Sequence, residues 1–149
     1  MNLKNYTSEV PAARSIMQIE QRLIGAGASN ILKSYQDGRV AAVRFSIKLP
    51  DGRVMAIQLP ARSEKVEKVL RASMKRPRPE TLNRLKDQAE RTAWRMLDEW
   101  VHIQLSLVQI EQVDFLEVFM PYLFDAKSER TYYELMRDNG FKMLPGGKE

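Results

Sequence analysis

The sequence predicts an α+β fold: a small antiparallel sheet of three or four strands with one packed helix, followed by a helical C-terminal half built on one long helix. Three observations predict it. Two turn signals, Asp37-Gly38 and Pro50-Asp51-Gly52, separate apolar runs of strand length, and both supply the positive φ that tight hairpins need. Between them Ala41, Val43, Phe45, Ile47 and Leu49 alternate with Arg44, Ser46 and Lys48, the period-two pattern of a strand with one buried and one wet face. From Pro79 or Thr81 to about Ile110 the pattern is helical without a break, on the order of 45 Å of helix.

The other elements follow in chain order. Residues 2–10 are expected to form an opening strand. Ser15 and Gln18 have the spacing of a capping box, in which each side chain satisfies an orphan amide of the helix start. Ile16, Ile19 and Leu23 recur at helical spacing, and Gly25 or Gly27 can end that helix in the left-handed region. Strands are expected at 30–35, 40–49 and 53–59. Met55, Ile57 and Leu59 share one face of the last, and Pro60, which has no amide to donate, should stop the pairing. An antiparallel meander with the first helix on its apolar side is the expected unit.

Ser63 is expected to cap a short helix to about Met74, with Val66, Val69 and Leu70 inward. The run Lys75-Arg76-Pro77-Arg78-Pro79 breaks it, because two prolines forbid continuous helix. In the second half of the long helix, Ala93, Met96, Trp100, Ile103 and Leu107 form one stripe, and Trp94, Leu97, Val101, Leu105 and Val108 another. They leave a polar strip of Arg95, Asp98, Glu99, His102, Ser106 and Gln109, so this half belongs to a core or an oligomer interface. The first half, with Arg84, Lys86, Asp87, Glu90 and Arg91, is expected to be solvated. A short helix should run from Asp114 to Met120, where Pro121 stops it, and a last one near 129–138 should end at Asn139-Gly140.

With 149 residues, the chain fits one domain, 1–149. It divides into a sheet unit (1–61), a basic helix and loop (62–78) and a helical half (79–149). There is no internal repeat. Its 44% hydrophobic and 29% charged residues are those of an ordinary globular protein. The absence of cysteine excludes disulfides, zinc–thiolate sites and thiol nucleophiles. The first residues lack the apolar stretch of a signal peptide, and no window reaches the ~20 apolar residues of a membrane span. A cytoplasmic protein without a membrane partner is the expectation.

No catalytic signature stands out. The phosphate-binding patterns GxxxxGK[ST] and GxGxxG are absent, and Gly25-Ala26-Gly27 follows a helix rather than a strand. There is no GxSxG elbow. Pro50-Asp51 begins like a restriction-type nuclease core, but Gln58-Leu59-Pro60 lacks the acidic residue and lysine that would complete it. His102, the single histidine, lies one turn from Asp98, a spacing open to two metal ligands or to a base with its orienting carboxylate. A third ligand is missing, so a polar strip with local ion pairs is the preferred reading. The chain is expected to be no enzyme and to carry no cofactor and no metal.

Charge is the remaining signal. Residues 1–61 hold eight basic and four acidic side chains, residues 62–95 eleven and five, and residues 96–149 five and ten. Arg62, Lys65, Lys68, Arg71, Lys75, Arg76 and Arg78 lie on the short helix and the loop after it, and Arg84, Arg91 and Arg95 could extend them. Cations so arranged suit phosphates, whose contacts supply most non-specific affinity for nucleic acid. A solvated face and an acidic protein surface are the competing readings. Aromatic residues do not interleave with these cations, which gives a single-strand stacking platform little support from sequence. For Arg91 and Arg95, beside Trp94, phosphate binding competes with pairing to Glu90, Asp98 or Glu99. The order helix, three antiparallel strands, helix resembles the double-stranded RNA-binding domain. It departs from that domain in opening the second helix Ser63-Glu64-Lys65-Val66-Glu67-Lys68, without a dense lysine cluster, and in the strand expected before the first helix.

From Asn5 to Phe141 the chain resembles a family of uncharacterised proteins encoded by bacteriophages, prophages and other mobile elements. The resemblance rests on Asn5-Tyr6-Thr7, Ile19 through Gly25-Ala26, Phe45, and Leu59-Pro60-Ala61. It continues through Arg91-Thr92-Ala93-Trp94-Arg95, Trp100-Val101, Gln104-Leu105, Val113-Asp114-Phe115 and Met120-Pro121-Tyr122. It brings no known activity and no catalytic residues, and implies only a phage or mobile-element setting inside bacterial cells. The expectation is an accessory protein that binds nucleic acid through the basic middle. The alternative is an inhibitor or adaptor that docks on a host or phage protein, with a homodimer through the long helix as one form.

Overall fold

The computed structural model describes residues 2–76 and 78–146. Its elements are helices α1 (Ala12–Gly25), α2 (Ser63–Ala72), α3 (Pro79–Gln109), α4 (Phe115–Phe119) and α5 (Tyr132–Asp138), with strands β1 (Asn30–Gln36), β2 (Arg39–Lys48), β3 (Val54–Pro60), β4 (Phe124–Asp125) and β5 (Arg130–Thr131). The α+β class, the three-stranded antiparallel meander and the long C-terminal helix are those the sequence predicts.

β2 is the central strand, flanked by β1 and β3. The β1–β2 turn puts Asp37 at φ 53° and Gly38 at φ 76°, the two positive values a two-residue hairpin requires. Register follows the alternation: Phe45 lies opposite Ile31 and Ile57, and Val43 opposite Leu59. These side chains meet Ile16, Ile19 and Leu23 of α1 and Trp94 and Val101 of α3 in the main core, which Phe119 closes. The Phe45 ring stands edge-on to Phe115 and Phe119, with centroids 6.4 and 6.2 Å away. Each such side chain contributes roughly 1.5–3 kcal/mol through burial. A second cluster joins Val66 and Leu70 of α2 to Leu85, Ala89 and Ala93 of α3. α2 therefore packs on α3, and one face of the long helix's first half is buried.

Several expectations are corrected. Residues 2–10 form turns, not a strand: Asn5 adopts φ 62°, and side chains of α3 take the carbonyls a ladder would have used. Gln88 Nε2 donates to the carbonyls of Tyr6 (2.9 Å) and Ser8 (3.1 Å), and Thr92 Oγ1 to that of Asn5 (2.9 Å). Ser15 is no cap. α1 begins earlier, at Ala12 with Pro11 as N-cap, which places Ser15 inside the helix and fully buried. Ser63 is the first residue of α2, and the N-cap is Arg62, in the left-handed region at φ 52°. Val69 turns outward, 45% exposed, because α3 covers only the Val66–Leu70 stripe. The sheet continues one residue past expectation, with Pro60 opposite Ala42 and the Ala61 amide donating to Ala41 O at 3.1 Å.

The expected helix near 129–138 starts late, at Tyr132, because β4 and β5 form a small hairpin before it. That hairpin closes over the free side of β3, where Leu123 bridges Ile57 and the Arg44 guanidinium lies 3.7 Å from the centre of the Phe124 ring. Asp114 and Glu117 form the capping box that opens α4. Among the described residues, no helix is long and apolar enough to cross a membrane.

Candidate nucleic-acid interface

α2 is amphipathic by spacing. With Val66 and Leu70 turned onto α3, Arg62, Lys65, Lys68 and Arg71, each three residues from the next, form an oblique row of exposed cations across the outer surface. Helical geometry puts Lys65 and Val69 on one flank of α2 and Ser63 and Glu67 on the other. The acidic flank faces the β1–β2 hairpin across a cleft of about 540 Å³ whose lining includes Asp37, Arg39, Glu64, Glu67 and Lys86. Arg71 in the last turn and Glu64 in the first both complement the helix dipole.

Beyond α2 the chain keeps its charge on the surface. Lys75, Arg76 and Arg78 are exposed, with Arg76 at φ 54° and Arg78 extended at φ −89°, ψ 159°, the conformation that a following proline enforces. Pro77, one of the two prolines expected to break the helix, lies outside the described residues. Arg84, on the first turns of α3, is exposed as well. Among the described residues, none of these eight side chains, from Arg62 to Arg84, pairs with a carboxylate. Two acidic residues of the same segment are already occupied, since Arg39 of β2 binds Asp87 at 2.8 Å and also Glu90.

Arg91 and Arg95 do not join this row. Arg91 donates from Nε to the Ser8 carbonyl at 3.2 Å and from an Nη to Gln88 Oε1 at 2.6 Å, which pins the N-terminal segment to α3. Arg95 pairs with Glu99 at 3.1 Å and with Asp98 at 3.5 Å. Asp98, expected on a polar strip, is 0% exposed, and its Oδ1 accepts from Arg22 Nε at 2.9 Å. His102 is exposed one turn away. The Asp98 oxygens are thus committed to two guanidinium groups rather than turned to a metal or a histidine ring.

One feature is visible only in three dimensions. On the Arg62 flank of α2 opens a groove of about 250 Å³, lined by Pro60, Ala61, Arg62, Met96, Trp100 and Tyr122 among others. Sequence reasoning misses it because its rings come from α3 and the turn after α4, far along the chain from Arg62. No family model, no curated protein and no solved structure matches this chain.

Proposed function

We propose that the protein is a non-enzymatic accessory protein that binds nucleic acid through the basic surface of α2, the turn after it and the start of α3. The observation that carries this reading is the exposed row Arg62, Lys65, Lys68 and Arg71, continued by Lys75, Arg76, Arg78 and Arg84 and unpaired among the described residues. Unpaired surface cations keep their full capacity to neutralise phosphates, and each phosphate neutralised releases condensed counterions. The resemblance to proteins of phages and mobile elements supports a place in the bacterial cytoplasm. The test is fluorescence anisotropy with labelled DNA and RNA across a salt series. Log affinity should fall linearly with log salt, with a slope of roughly −0.7 to −0.9 per phosphate contacted. Absence of binding at low salt refutes the reading.

A second reading, an inhibitor or adaptor acting on a host or phage protein, draws on the far end of α3. There Ile103 is 56% exposed and Ile110 67%. Exposed apolar residues on one helix suit a protein partner or a second copy of the chain. Sedimentation equilibrium tests the homodimer form: a dimer that Ile103→Lys dissociates supports it, and a monomer at all concentrations rejects it.

A further inference from the structure

Arg62 stands where two surfaces meet. It begins the cation row on α2, and it borders the groove beside Met96, Trp100 and Tyr122. The two rings are partly exposed, with centroids 5.6 Å apart and planes inclined at 61°. Apolar and aromatic surface with an arginine among its lining residues suits a flat, polarisable group that carries a negative charge beside it. The groove's volume, about 250 Å³, is below the ~300–1,000 Å³ of most small-molecule sites. It has room for a single planar ring system.

We infer that this groove receives an unpaired nucleobase, while Arg62, Lys65, Lys68 and Arg71 hold the phosphates that follow it, so that the preferred ligand is a single strand. The inference rests on the nucleic-acid reading above and narrows it. A duplex could use the cation row alone, because its base faces are stacked on one another and cannot enter the groove. A single strand gains both phosphate contact and aromatic contact, and the latter tolerates any base because every base has a π-face. The arrangement also accounts for an otherwise odd choice, an arginine in the left-handed region as the N-cap of α2. At that position the residue both begins the row and lines the groove.

The test compares labelled oligothymidylate with the same strand paired to oligoadenylate, using the full chain and following anisotropy and tryptophan emission together. Trp94 is fully buried and Trp100 is not, so a change in emission reports on the groove. The single strand should bind about tenfold more tightly than the duplex, the worth of one base on an aromatic surface, and should quench the emission. Ala61→Leu, which fills the groove from a partly exposed position, should narrow that difference. The unmodified chain supplies the same answer by quenching, should the variant fold poorly. Equal or tighter binding of the duplex, or single-strand binding with unchanged emission, overturns the inference and leaves the basic-surface reading standing. Binding of neither polymer overturns both.

Discussion

Arg22 on α1 donates from Nε to Oδ1 of Asp98 on α3 at 2.9 Å, and Asp98 has no exposed surface. The contact ties α1 to the long helix beside the weaker bond from Arg95 to Gln18 Oε1 at 3.5 Å. Arg22→Leu would leave the carboxylate buried with only the 3.5 Å contact to Arg95. Removing one partner of a buried pair costs about 3–5 kcal/mol because the other charge stays desolvated. Since Arg22 itself is partly exposed, a loss near about 3 kcal/mol is expected in urea unfolding. A loss below about 0.5 kcal/mol would show that the pair does not hold the helices together.

The basic residues divide into two groups that mutation should separate. Arg76→Glu with Arg78→Glu should abolish nucleic-acid binding and leave the thermal midpoint nearly unchanged, since both side chains are exposed and unpaired among the described residues. Arg91→Ala should do the reverse. Its guanidinium bonds the Ser8 carbonyl and Gln88, and hydrogen bonds of this charged kind contribute about 1.5–3 kcal/mol. If Arg91→Ala weakens binding with no change in stability, the interface must extend across the N-terminal segment.

Acid should loosen the C-terminal unit. Glu134 accepts from the Thr131 backbone amide at 3.1 Å, and that bond, with help from the Thr131 hydroxyl, Arg137 and Arg130, outweighs partial burial. The carboxyl is thereby held below the 4.5 of a free glutamate. A group whose pKa falls on folding contributes its full stability above the unfolded value and loses it as pH drops through the folded one. Thermal stability should therefore decline below about pH 4.5, and Glu134→Gln should flatten that decline while lowering stability at neutral pH. An unchanged acid limb in the variant would assign the decline to other carboxylates.

The sheet was legible because its cues are local. Asp37-Gly38 needs only its own positive φ values, and the alternation through Val43, Phe45 and Ile47 needs only one covered face. The long helix was legible for the same reason, bounded by Pro79 and an unbroken apolar period. What the sequence concealed are relations between distant residues. The N-terminal segment contains strand-compatible residues, but Gln88 and Thr92 remove its carbonyls from any ladder. Asp98 lies at a polar spacing on α3, yet Arg22 draws it inside. The groove beside Arg62 assembles Trp100 and Tyr122 next to the cations, although none of them interleave along the chain. Charge density marked the basic surface, but the packing of Val66 and Leu70 on α3 decides that Lys65, Lys68 and Arg71 face outward, and the bonds to Ser8, Gln88, Asp98 and Glu99 occupy Arg91 and Arg95.

Ser15 offers a test of opposite sign. Its spacing to Gln18 is that of a cap, but α1 begins at Ala12, so the hydroxyl sits within the helix and against the core. Ser15 Oγ is buried and has no hydrogen-bond partner among the described residues. An unsatisfied buried hydroxyl costs about 1–3 kcal/mol, and serine is a weaker helix former than alanine. Alanine keeps the Cβ contacts and removes only the desolvated oxygen. Ser15→Ala should therefore raise stability by about 1 kcal/mol in denaturant unfolding, with an unchanged m-value. A loss of stability would mean that the hydroxyl is bonded in solution and that the turn before α1 reaches back to it as a cap would.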